Sequence, residues 1–101
     1  MLVTFTCSVY ADITMFGNVA EQMLKMMGQS GTIPGAILAE DVPAARARLE
    51  AALAAIEEPA QQQYDEEGEP IVTVHHRALP LVELLRAAEK EEVDVTWREG
   101  T

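Results

Sequence analysis

Cysteine, histidine, aromatic rings and basic side chains are all scarce in this chain. One cysteine, Cys7, cannot close an internal disulfide, and two histidines do not complete a transition-metal site by themselves. Seven basic residues stand against 17 acidic ones among 101, a net charge of −10. That charge repels phosphate backbones and anionic lipid surfaces, which argues against nucleic-acid and membrane partners. No run approaches the about 20 apolar residues of a membrane-spanning helix. The opening MLVTFTCSVY alternates at once and has no basic leader, so it reads as a strand and not as a signal peptide. These absences lead to the expectation of a cytoplasmic protein in a reducing compartment. The motifs GxSxG, HExxH, GxGxxG and the phosphate-binding P-loop are missing as well. No catalytic residue, metal ligand or cofactor is therefore assigned.

What is present suffices for one domain over 1–101 with one core: 49% of residues are apolar, although 15 of them are small alanines. Charge is unevenly spread. Residues 1–39 carry a net −1 and residues 40–101 a net −9. Glu57, Glu58, Asp65, Glu66, Glu67 and Glu69 follow one another with no base between them. The segment 59–70 reads as a mobile, solvated linker, or as a docking surface for a basic protein partner.

Periodicity gives the elements. In 2–9, Val3, Phe5, Cys7 and Val9 alternate with Thr4, Thr6 and Ser8, the pattern of a half-buried strand with Cys7 turned inward as an inert core thiol. Asp12 is expected to cap a helix over 13–27, where Phe16, Ala20, Met23, Leu24 and Met27 share a stripe and Gly28 supplies the stop. Val19 and Met26 fall off that stripe, as in a helix that is central or meets a second chain. Gly31, Pro34 and Gly35 break regular structure in the connection 29–41. Asp41-Val42-Pro43 reads as a capped helix start, and Val42, Ala45, Leu49, Ala52, Leu53 and Ile56 carry that helix to about Glu58. Residues 71–76 read as a strand, 79–92 as a helix opened by Pro80, and 93–98 as a strand with Val93, Val95 and Trp97 inward.

The expected fold is α+β, in the order β-α-α-β-α-β: a three-stranded sheet with three helices packed on one face. The bare face would show Thr4, Thr6, Ser8, Thr73, His75, Thr96 and Arg98. The last two strands, if parallel, would form a right-handed βαβ unit.

The MFG at 15–17, the run GTIPGAILAEDVPAARARL at 31–49 and RALPLVELLRAAEKEEVDVTW at 77–97 resemble a family of small bacterial proteins, domain of unknown function 1840. The resemblance implies one whole-length domain and brings no activity with it. It directs interest to Gly31, Pro34, Gly35 and Arg77 as parts of the shared runs. Neighbouring His75 and His76 would point to opposite faces of a strand, which argues against one ion using both. Two functional readings follow. The first is a non-enzymatic interaction module that self-associates as a homo-oligomer, suggested by the over-apolar first helix and the free face or edge of a small sheet. The second is a small-ligand or anion-binding protein, even an enzyme, using the 29–39 loop (Gly31, Pro34, Gly35) with His76 and Arg77.

Overall fold

The computed structural model describes residues 1–56 and 74–100. The acidic segment 59–70 and Thr73 lie outside these residues. The class is α+β as expected, but four strands replace three and the order differs. In chain order these are β1 (Leu2–Cys7), β2 (Tyr10–Phe16), α1 (Gly17–Met26), β3 (Gly35–Ile37), a 3-10 turn (Ala39–Asp41), α2 (Val42–Ala55), α3 (Val74–Glu91) and β4 (Val95–Glu99). The sheet runs β2-β1-β4-β3 and every pair in it is antiparallel, so no parallel βαβ unit exists among them.

The largest departure is β2, where a helix was expected. Ile13 and Met15 alternate with Asp12, Thr14 and Phe16, and the strand pairs back on β1 with Val3 opposite Met15 and Phe5 opposite Ile13. Asp12 is thus a strand residue, and the N-cap of α1 is Phe16, which makes no side-chain capping bond. The helical stripe was correct from Ala20 onward. Ala20, Met23, Leu24 and Met27 are fully buried, but Phe16 is 63% exposed. The first turn of α1 is tied to the chain start instead. Gly17 N–H donates to the Met1 carbonyl at 2.8 Å, and a Cβ at Gly17 would stand 2.6 Å from Met1 Cγ. Gly28, at φ +86°, ends α1 as expected: Gly28 N–H returns to Lys25 O and Gln29 N–H to Leu24 O, the paired bonds of a Schellman stop. Val19 is buried and Met26 half-buried in the same core, so the second apolar side of α1 is covered within one chain.

The expected strand at 71–76 is replaced, over its described part, by α3, which begins at Val74 and carries His75, His76 and Arg77 in its first turns. Pro80 lies inside this helix and does not open it, at the cost of one N–H in the ladder. Ala78, Leu81, Leu84, Leu85 and Ala88 form its buried stripe. On α2, Val42, Ala45, Leu49 and Leu53 are buried, and the helix ends at Ala55, short of Glu58. Asp41 gives α2 no side-chain cap. The carboxylate used at this corner is Asp94, whose Oδ1 accepts from Ala39 N–H at 2.7 Å. That bond fixes the start of the 3-10 turn ahead of α2 and leaves α2 itself without a side-chain cap.

All three helices contribute to one core, against the sheet face bearing Val3, Phe5, Val95, Trp97 and Ile37. Phe5 faces Trp97 across β1 and β4, with ring centroids 6.0 Å apart. Trp97 also accounts for the Gly-Pro-Gly connection. Its indole N–H donates to the Thr32 carbonyl at 2.8 Å, and a Cβ at Gly35 would come within 2.4 Å of the ring. Gly35→Ala therefore forces the indole or β3 to move. Urea unfolding followed by Trp97 fluorescence should show a loss of about 1–3 kcal/mol; an unchanged midpoint would refute this account of the glycine.

Candidate functional site

Three surface features carry chemistry. The first is the bare face of the sheet. Strand parity sets Leu2, Thr4, Thr6, Thr14, Phe16, Thr96 and Arg98 on the side opposite Phe5 and Trp97. Of the face foreseen from sequence, Thr4, Thr6, Thr96 and Arg98 are there, whereas His75 belongs to α3. Thr4 sits at its centre and is only 2% exposed. Its hydroxyl donates to the Gly100 carbonyl and accepts from Thr14 at 2.9 Å, which satisfies a polar group that its neighbours nearly cover. Met1, Leu2 and Phe16 form an exposed apolar rim, with Leu2 directly opposite Phe16.

The second feature is an open groove of about 550 Å³ at one end of the sheet, lined by Thr6, Cys7, Ser8, Glu92, Val93, Asp94 and Thr96. Its wall is the junction of α3 and β4. Val93 N–H returns to Ala88 O and Glu92 N–H to Glu89 O, a Schellman stop whose left-handed residue is Glu92 at φ 55° instead of glycine. Cys7 does pack against the core, but it is half-buried and reaches the groove rim. Nothing in the sequence pattern announced this groove, because it depends on the turn between β1 and β2 meeting the end of α3.

The third feature is an ion-pair chain clasping α2 to α3. Arg46 binds Glu89 through both Nε and Nη2 and binds Glu50 at 2.6 Å, and Glu50 in turn accepts from Arg86 at 2.6 Å. The Arg86 hydrogen bond, with Arg46 beside it, holds the Glu50 carboxyl below its ordinary range against the opposing effect of burial. The Glu89 carboxylate pushes Arg46 further up. On the sheet side, Tyr10 O–H donates to Glu83 at 2.9 Å, and that carboxylate raises the phenol.

The sequence-derived site residues are placed apart from the groove: none of the five lines it. Gly31, at φ +89°, and Pro34, after a cis peptide from Ile33, shape the connection whose Thr32 carbonyl receives Trp97, and Gly35 underlies the indole. His76 and Arg77 are exposed on α3. His75, one residue earlier, donates from Nε2 to the Leu53 carbonyl at 2.6 Å and so joins α3 to the end of α2. Among the described residues, no group of three or more His, Cys, Asp or Glu is disposed to hold a metal ion, and no helix is long and apolar enough to cross a membrane.

The ion-pair chain has a pH signature. A carboxylate whose folded pKa lies below its unfolded value stabilises the fold above the unfolded value, and that contribution disappears as pH falls through the folded one. Stability should thus decline below about pH 4.5, the ordinary value for Glu50. Glu50→Gln should cost about 1 kcal/mol at neutral pH and flatten this acid limb in denaturant titrations; an unaltered limb would show that the chain contributes nothing.

The family model described as Domain of unknown function (DUF1840) matches residues 1–97, so the chain belongs to that family. No curated protein and no solved structure matches the chain.

Proposed function

We propose that this DUF1840 domain is a non-enzymatic protein-interaction module of the cytosol that self-associates. The observation that carries the reading is the one-sided sheet. Helices cover Val3, Phe5, Val95 and Trp97, while the opposite face meets solvent along a rim of Met1, Leu2 and Phe16. Exposed apolar side chains gathered at one place mark association surfaces, whereas singly scattered ones do not. The groove's lining offers hydroxyls, one thiol and two carboxylates, with neither histidine nor lysine. An acidic surface of net −10 also suits a basic protein partner. Light scattering over a dilution series should show a mass that rises with concentration above the 11.0 kDa of one chain. A constant monomer mass would count against self-association.

A second reading keeps the small-ligand or anion-binding alternative, because His76 and Arg77 stand exposed side by side on α3. Here phosphate and small carboxylates should raise the melting temperature of the native protein and not of Arg77→Ala. Equal responses in the two proteins would dismiss it.

A further inference from the structure

We propose that the groove between the β1–β2 turn and the end of α3 is a guanidinium site, and that its ligand is an arginine side chain of a basic protein partner. The inference rests on the basic-partner part of the reading above and gives that partner a point of attachment.

The groove encloses about 550 Å³, within the roughly 300–1,000 Å³ usual for ligand sites. Its chemistry is one-sided. Thr6, Ser8 and Thr96 bring hydroxyls, and Glu92 and Asp94 bring carboxylates. Ionised carboxylates only accept hydrogen bonds, and hydroxyls can accept as well as donate. No lysine, arginine or histidine lines the groove to answer them. Elsewhere the chain supplies its acids with bases: Glu21 meets Lys25, Glu50 meets Arg46 and Arg86, and Glu89 meets Arg46. Among the described residues neither Glu92 nor Asp94 belongs to any ion pair.

Both carboxylates stand on a backbone that is fixed from outside the groove. Asp94 Oδ1 accepts from Ala39 N–H at 2.7 Å, which leaves Oδ2 for a ligand. Glu92 sits in the left-handed turn that ends α3, held by the Val93 N–H bond to Ala88 O. A ligand that bridges the two therefore orders little of the protein.

The lining selects the head group. An anion is repelled by both carboxylates, and the net −10 of the whole chain draws cationic partners in. A metal ion is poorly served, since no group of three or more His, Cys, Asp or Glu disposed to hold one forms among the described residues. A guanidinium offers five N–H donors in a planar fork, enough for two carboxylates and the hydroxyls beside them. It is also more weakly hydrated than an ammonium, so a groove open to water costs it less desolvation. Half-buried Cys7 and Val93 give the aliphatic stem of an arginine an apolar floor.

The test is an NMR titration of the full chain with methylguanidinium, against methylurea as its uncharged isostere, at constant ionic strength. Methylguanidinium should move the Ser8, Val93 and Asp94 amides along saturating curves, and methylurea should not. Glu92→Gly removes one carboxylate and sets at the positive φ the residue that adopts it most readily. This variant should keep or raise the melting temperature while weakening binding about threefold. Asp94→Asn retains an acceptor for Ala39 N–H and should weaken binding by a similar factor, and the two changes together by about tenfold. The blocked peptide acetyl-Gly-Arg-Gly-amide should reproduce the shifts at a lower midpoint than methylguanidinium; equal midpoints support the guanidinium site and overturn the arginine source. Shifts that do not saturate, that methylurea reproduces, or that keep their midpoint in the folded double variant overturn the site. If the variants misfold by circular dichroism, the methylurea comparison on the wild type decides. Should the peptide shift amides only outside the groove, the site is wrong while the basic-partner reading stands.

Discussion

The pairing of β1 with β4 governs this fold. Val3 lies opposite Glu99 and Phe5 opposite Trp97, so the two extremes of the described chain meet at the centre of the sheet. Closing so long a loop has an entropic cost that only a large apolar contact can offset. Phe5 and Trp97 supply much of it, and the helices complete it by covering the same face. The other elements follow from that closure. β2 folds back on one side of β1, β3 adds to the far side of β4, and Asp94 reaches across to hold the turn that starts α2.

What depends on strong period is legible in the sequence. The inward Val3, Phe5, Val95 and Trp97, the buried stripes of α2 and the later part of α3, and the glycine stop of α1 all stand where patterning put them, whereas Val9, expected inward, is exposed in the turn after β1. Patterning failed where two periods overlap. In 10–17 a strand and a helix start both match the apolar positions, and long-range pairing with Val3 and Phe5 selected the strand. At 74–77 the apolar alternation was short, and helical continuity with the Leu81–Leu85 stripe prevailed despite Pro80. Asp41 stands at the N-cap of α2 as its pattern suggests but makes no side-chain capping bond, and Asp94 instead holds the preceding turn at Ala39.

The candidate site was legible in part. The threonine-bearing bare face follows from alternation alone. The Gly-Pro-Gly connection stood out in sequence, yet its geometry is spent on receiving one indole ring. The groove was invisible, since Glu92 has no residue signature for its left-handed backbone and Cys7 reads as any core residue.

A strand placed centrally in space but last of the four in chain order has a consequence during synthesis. Until Trp97 leaves the ribosome, the β1–β2 hairpin has one open flank where β4 will later bind, and Phe5 lacks its aromatic neighbour. The nascent domain thus holds an unfinished sheet until β4 has emerged, and closure of the sheet waits for that strand.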